Sequence, residues 1–198
     1  MTSRFNLFDN AGDARETARN LPEGLRYRKE LISAADERKL LAHLTELPFR
    51  EFEFHGYTGK RRVVSFGWHY DFTGRQLRKA DDIPEYLLAL REAAAAFASM
   101  EPYDLQHVLV IEYGPGAGIG WHRDKMVFGQ VVGLSLLSPC VLRFRRAIAK
   151  KKWERVNLLA EPRSAYHLSG PARYEWEHSI LRVDTLRYSI TFRNVLEN

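Results

Sequence analysis

The chain has 198 residues, 45% hydrophobic and 28% charged, a length and balance that fit one soluble globular domain and exclude a disordered chain. A single cysteine, Cys140, excludes an internal disulfide and a cysteine-rich zinc site, and it fits a reducing compartment. The net charge of +5 favours polyanionic partners only weakly, and the N-terminal MTSRFNLFDNAGDARE holds no apolar run long enough for a signal peptide or a membrane span, so a cytoplasmic monomer without membrane contact is expected.

Residues 1–24 are polar and are expected to form a flexible arm, with Phe5-Asn6-Leu7-Phe8 read as a strand end or loose anchor in preference to a docking segment for another protein. Residues 25–198 are expected to form a single domain. Leu25–Leu31 alternates enough for a strand. Ser33 is placed to cap a helix that carries Asp36 and Glu37 in its first turn and Leu40, Leu41 and Leu44 at helical spacing, ending by Pro48. A second helix opens near Pro84 and runs through Leu87, Leu88, Leu90 and the Ala93–Ala96 run to about Ser99, its apolar face covering one side of a sheet. After Pro102 the chain reads as strands: Leu105–Tyr113, Val131–Leu137, Val141–Arg145, Trp153–Leu158, Ser164–Leu168, Arg173–Ile180 and Leu186–Val195. Short strands at this spacing predict a sandwich or barrel.

Two His-x-Asp pairs occur, His69-Tyr70-Asp71 and His122-Arg123-Asp124. In a strand, residues i and i+2 point to the same face and can grip one ion. Seven histidines and 25 acids make about one pair of histidine and Asp or Glu at this spacing expected by chance, so the pair alone is weak. Context favours the second. It follows a strand ending in Tyr113 and the turn Gly114-Pro115-Gly116-Ala117-Gly118, and His178 and two strand arginines come after it. Taken singly, His122 reads as a surface histidine and His178 as a satisfied core histidine beside Trp176. Together, His122, Asp124 and His178 are the donor set of the facial triad that holds non-haem Fe(II) in oxygenases. Three protein donors leave three octahedral positions, two for a bidentate 2-oxo acid and one for O2. The far carboxylate of that co-substrate needs a buried cation. Arg187 and Arg193 are an even six residues apart on the last strand and therefore share a face. The bland alternative is a solvated edge strand with two exposed arginines.

The ordered set resembles the AlkB family of Fe(II)- and 2-oxoglutarate-dependent dioxygenases. The resemblance rests on Tyr113-Gly114-Pro115-Gly116 leading to His122-Arg123-Asp124, on Val132-Gly133-Leu134-Ser135-Leu136, on Ala172-Arg173-Tyr174-Glu175-Trp176-Glu177-His178, and on Arg187 with Arg193. Phe66-Gly67-Trp68-His69-Tyr70 is similar to the aromatic strand before the core in many members, which puts His69 on the nucleotide-recognition side. The resemblance implies a mainly β fold with flanking helices, built on a double-stranded β-helix (jelly roll). It implies that Arg187 and Tyr113 bind the distal carboxylate of 2-oxoglutarate, with Arg193 near the proximal carboxylate and the iron. The implied reaction oxidises the co-substrate to succinate and CO2 while hydroxylating an alkyl carbon on nitrogen, and collapse of the hemiaminal releases an aldehyde. Three positions depart from the family pattern. Ile111 and Ser189 stand where many members carry asparagines that bind the co-substrate, and Met126 stands where some DNA-repairing members carry an acid that helps read the base.

For a substrate, the richest basic stretch is Arg143–Arg155, with seven cations and one acid; Lys150, Lys151 and Lys152 are expected on an exposed hairpin loop. Lys60-Arg61-Arg62 forms a second cluster ahead of the aromatic strand. Arg61, Arg62 and the lysines suit phosphate contacts, and Trp68, Tyr70 and Trp121 are candidate stacking groups. The bland readings are solvated turns and core packing. Three functions follow: dealkylation of N-alkylated bases in DNA or RNA (alkylation-damage repair), the same chemistry on protein side chains, or a non-catalytic nucleic-acid-binding jelly roll.

Overall fold

The computed structural model describes residues 21–196 apart from 55, 56, 72, 73 and 75. Residues 1–20, with Phe5-Asn6-Leu7-Phe8, lie outside the described residues. In chain order the first elements are β1 (Leu25–Arg28), α1 (Ala34–Leu44), β2 (Arg50–Phe54), β3 (Tyr57–Phe66), β4 (Trp68–Asp71) and β5 (Gln76–Lys79). A 3-10 turn, Glu85–Leu87, leads into α2 (Leu88–Ala98), and a second, Pro102–Asp104, into β6 (His107–Tyr113). Then come β7 (Ile119–His122), β8 (Phe128–Leu136), β9 (Cys140–Ala149), β10 (Lys152–Ala160), β11 (Ala165–Leu168), α3 (Gly170–Tyr174), β12 (Glu177–Ile180) and β13 (Arg187–Val195).

Local chemistry sets the helix ends. Ser33 is extended, and its hydroxyl accepts from the Asp36 amide at 3.1 Å, which satisfies one of the orphan donors at the start of α1. Pro171 in the first turn opens α3. That short helix replaces the first half of the strand expected over Arg173–Ile180, and only Glu177–Ile180 is strand. The alternating apolar positions there are equally compatible with one helical turn followed by a short strand.

The strands pair antiparallel into two main sheets. The larger has the order β1-β11-β8-β13-β6-β3-β2 and the smaller β10-β9-β12-β7, while β4 and β5 form a separate ribbon. This is the expected double-stranded β-helix. Side-chain parity divides its interior in two. Val108, Val110, Leu134, Leu136, Ile190 and Phe192 leave one face of the large sheet and pack on Leu40, Leu44, Leu90, Ala94, Ala95 and Ala98 of the helices. The opposite parity, Ile111, Tyr113 and Val131, meets Leu142, Phe144, Leu158 and Ile180 of the small sheet. Burying a Leu, Val or Phe side chain in such layers is worth about 1.5–3 kcal/mol each. No helix among the described residues is long and apolar enough to cross a membrane.

The strand β13 lies between β8 and β6 rather than at an edge, so the solvated-edge reading of its arginines is not what the fold shows. Arg187, Ser189, Thr191 and Arg193 all point between the two sheets, and all are buried.

Candidate active site

His122 ends β7 directly opposite His178 of β12, and the two rings lie 4.2 Å apart between centroids. Regular pairing stops there, and the chain turns so that Asp124 joins the two imidazoles. One ligand atom from each of the three lies within 4.8 Å of the others. Two imidazoles and one carboxylate at that spacing can share one ion and leave coordination positions open. His122 Nδ1 lies 3.0 Å from the Gly120 carbonyl. A carbonyl only accepts, so Nδ1 carries the proton and Nε2 is left as the lone-pair donor.

The carboxylate is held from behind. Arg193 donates to Asp124 Oδ1 at 3.1 Å and sits 3.4 Å from His107 Nδ1. Burial pushes the Asp124 carboxyl up, but Arg193, then His178, His122 and Arg173, more than offset this and hold it well below the usual carboxylate range. Burial, then the neighbouring His122, pushes His178 down to about 3, so its imidazole is available as a neutral donor. The 2%-exposed Arg173 fixes the turn after Asp124, donating through Nε to Gly129 O at 2.7 Å and through Nη2 to Lys125 O at 2.8 Å and Phe128 O at 2.6 Å.

Across the pocket stands Arg187, 1% exposed. Its Nε donates to Ser135 Oγ at 3.2 Å, and its guanidinium lies 4.9 Å from the centre of the Tyr113 ring. The Tyr113 side chain also hydrogen-bonds Arg187. Arg187 Nη1 is buried without a partner. A buried guanidinium with an unused N–H costs several kcal/mol unless an anion meets it. An orphaned donor beside a tyrosine hydroxyl is a fit for a carboxylate, and Arg187 shares a face of β13 with Arg193, which holds Asp124. Tyr166 was not foreseen. It pairs across β11 and β8 with Gly133, and its ring occupies the space a side chain at 133 would need. Its hydroxyl is pushed up by burial, then by Tyr113. The signal was present in the sequence, since glycine inside a strand often marks a close approach.

The predicted substrate residues separate. Tyr70 lies under Lys125 Nζ, 5.2 Å from its ring centre, and Lys125 follows Asp124 in the chain. Trp68 is covered by Lys79 Nζ at 4.5 Å. Trp121 is on the opposite face of β7 from His122, between Arg143 at 4.9 Å and Arg145 at 4.5 Å. Strand alternation turns it away from the metal-binding face of β7. Lys60-Arg61-Arg62 does not act as one cluster. Arg62 pairs with Glu112 at 2.7 Å, and Arg61 is the cross-strand partner of Tyr113 and faces inward. Lys150, Lys151 and Lys152 are exposed at the tip joining β9 to β10, where Lys151 takes φ of 60°. Among the described residues the other His-x-Asp pair belongs to no second cluster: His69 is exposed and Asp71 pairs with Arg78 at 3.0 Å.

The family model described as the 2OG-Fe(II) oxygenase superfamily matches residues 24–193, and the chain belongs to that superfamily. Within it the chain is AlkB-like. It is 26% identical over 214 aligned positions, 89% of this chain, to an "Alkylated DNA repair protein ALKBH8 homolog" of Arabidopsis thaliana. It is 40% identical over 94 residues, 46% of this chain, to the "Alpha-ketoglutarate-dependent dioxygenase alkB homolog 7, mitochondrial" of Bos taurus. The matched regions span 59% and 41% of those relatives' own lengths. The solved structure of OsALKBH1 superposes with a TM-score of 0.65 at 18% identity, covering 88% of this chain and 98% of that one. A Pseudomonas putida prolyl-4-hydroxylase matches with a TM-score of 0.59, also at 18% identity, over 88% of this chain and 94% of that one. At that identity these two matches speak for the fold. The chain is thus a dioxygenase of a superfamily that uses Fe(II), 2-oxoglutarate and O2.

Proposed function

We propose that the chain carries out oxidative dealkylation of N-alkylated bases in DNA or RNA. In this reading His122, Asp124 and His178 hold Fe(II), Arg187 and Tyr113 hold the distal carboxylate of 2-oxoglutarate, and Arg193 lies near the proximal carboxylate. The observation that carries the chemistry is the convergence of two imidazoles and a carboxylate opposite a buried arginine with an unused N–H. Bound iron supplies O2 activation and a site for the 2-oxo acid.

The chain's own residues set the geometry. His122 keeps its proton on Nδ1, facing Gly120 O, so that the other nitrogen is a donor. Arg193 and Arg173 fix Asp124 and the turn that carries it. Arg187 and Tyr113 orient the co-substrate from its far end, which positions its keto-acid end without further adjustment. Phe144, buried in the inter-sheet core, packs beside His178, with 6.3 Å between ring centroids.

The substrate class rests on Tyr70 paired with Lys125, the residue after Asp124, and on the exposed Lys150–Lys152 tip. An aromatic face beside a cation suits a base with its phosphate. The base must be unpaired or flipped out, at a cost of a few kcal/mol. The printed names of the Arabidopsis relative and of the mouse "tRNA (carboxymethyluridine(34)-5-O)-methyltransferase ALKBH8" support a nucleic-acid substrate. One observation favours protein side chains instead. Met126 is 65% exposed at the place of the acid that some relatives use on a base.

Succinate formation against alkylated DNA, RNA and methylated peptide panels tests the proposal. Turnover on an alkylated oligonucleotide with release of aldehyde is expected. Turnover on peptides alone would transfer the chemistry to protein, and 2-oxoglutarate consumption stimulated by no member of the panels would overturn the assignment.

A further inference from the structure

The outer face of the small sheet carries an ordered row of cations. Leu142 and Phe144 of β9 are buried between the sheets, so Arg143 and Arg145 point to the opposite side, away from His122 and His178. The Arg145 guanidinium lies between two indoles, 4.5 Å from the ring centre of Trp121 on β7 and 4.3 Å from that of Trp153 on β10. Arg143 lies 4.9 Å from the Trp121 ring. Both are anchored on β12 beneath them: Arg143 Nε donates to Ser179 Oγ at 3.1 Å and Arg145 Nε to Glu177 Oε2 at 2.6 Å. Among the described residues their terminal nitrogens have no hydrogen-bond partner.

This face retains an unfavourable pairing. The β9–β10 ladder sets Arg155 directly opposite Arg145, and Arg155 is exposed, with no ion pair among the described residues. Like charges directly opposed across a ladder destabilise it. Arg146, the next residue along β9, points the other way and is matched by Glu154 and Glu175, each at 2.9 Å. Against Arg143, Arg145 and Arg155 the ladders put one carboxylate, Glu177. The Lys150–Lys152 tip continues the row beyond Trp153. Stacking on an indole fixes a guanidinium in place and leaves its edge free to donate.

We propose that this face is a track for the phosphate backbone of a single-stranded nucleic acid, with Arg143, Arg145 and Arg155 as the phosphate donors and Trp121 and Trp153 holding the guanidiniums in place. The proposal rests on the nucleic-acid substrate proposed above and adds where the rest of the strand runs. β7 is the outermost strand of the small sheet, with His122 on its inner side and Trp121 on its outer side. A nucleic-acid strand with one base in the pocket therefore reaches the track by folding over a single edge strand. Arg143 and Arg145 are two residues apart, about 7 Å, a span that one phosphodiester link covers. From β7 to β10 the track crosses three interstrand spacings, roughly 15 Å. A planar fork of donors matches phosphate oxygens, and the excess positive charge on the face is met by a polyanion.

The test is equilibrium binding of an unmodified single strand of about twelve nucleotides to the Mn(II)-loaded protein at several salt concentrations. Arg143→Gln combined with Arg155→Gln is expected to weaken binding by about tenfold at low salt and to reduce the salt slope by about 1.4, two phosphate contacts on a single strand. Arg143→Lys with Arg155→Lys should retain most of both. Arg155→Glu separates binding from structure. It turns the like-charged pair with Arg145 into an ion pair, so binding should weaken while the Tm holds level or rises. Unchanged affinity and slope in the double Gln variant, or a lowered Tm accompanying the weaker binding of Arg155→Glu, would overturn the track. If wild type binds and dealkylates oligonucleotides and the double Gln variant binds them as tightly, the substrate reading stands and the track falls. If wild type binds no oligonucleotide at low salt, both fall. Binding of a polyglutamate peptide in their place, with the same sensitivity to these substitutions, would assign the face to an acidic polypeptide and overturn the nucleic-acid track.

Discussion

Arg187 is buried with one N–H directed at nothing in the protein, and this single atom explains more of the pocket than any apolar contact. Its retention is intelligible if a carboxylate completes it, since a charged hydrogen bond contributes about 1.5–3 kcal/mol. Arg187→Ala is accordingly expected to raise the 2-oxoglutarate concentration needed for half-maximal turnover by tenfold or more while metal content stays at the wild-type level. A kinetic titration beside metal analysis reads both, and an unchanged requirement would put the co-substrate elsewhere.

A second residue carries a pH dependence. His167 is 2% exposed, accepts at Nδ1 from Arg26 Nε at 3.2 Å, and faces Gln130 Oε1 through Nε2 at 2.7 Å. Burial, then Arg26, pushes it down to about 4. The folded form thus binds a proton less readily than the unfolded chain, whose histidine titrates near 6.5. The stability it contributes is complete above about pH 6.5, and it is lost as the pH falls toward 4. Denaturant midpoints between pH 7 and 4.5 should fall less steeply in His167→Gln than in wild type; parallel profiles would assign the acid sensitivity to other groups.

Among the elements, the β9–β10 hairpin and β13 show what the pattern of residues could and could not specify. The parity of Arg187 and Arg193 was legible because they lie on one uninterrupted strand. Its position between β8 and β6 was not legible, because ladder neighbours are chosen by the fold and not by the strand's own residues. The hairpin was legible from its lysine-rich middle, although the strands continue to Ala149 and resume at Lys152, which leaves a tight turn instead of a loop. Replacing Lys150, Lys151 and Lys152 together with alanine is expected to weaken oligonucleotide binding and to reduce its salt slope by about two to three, near one per lost phosphate contact. Binding isotherms at several salt concentrations would show it, and an unchanged slope would leave the tip as a solvated turn.

The molecule as a whole brings together stretches that are distant in the chain, and this sets the limit on what its sequence discloses. His122, Asp124 and His178 were legible as a set because the donor chemistry is restrictive and the order of motifs around them is distinctive. Tyr166 and His107 were not singled out, and Ser135 and Arg173 stood in motifs without a role, because each is an ordinary strand or helix residue until the sheets are laid face to face. Arg61 and Trp121 were placed with the substrate on composition, yet pairing turns the first inward to Tyr113 and alternation turns the second outward to Arg143 and Arg145. Strands β2 and β3 carry so many charged residues that hydrophobic periodicity does not mark them, although they complete the large sheet. The two longer helices, by contrast, were clear, α1 from its cap and α2 from its apolar spacing, since those signals are local, whereas the five-residue α3 was read as strand.

The whole account turns on one ion bound by three side chains. Iron stoichiometry, measured under anaerobic conditions for wild type and for a folded Asp124→Ala variant, addresses it most directly. One Fe(II) per chain in wild type and a loss of most of it in the variant, with 2-oxoglutarate-dependent succinate formation lost in parallel, is the predicted result. Full iron occupancy and turnover in Asp124→Ala would contradict it.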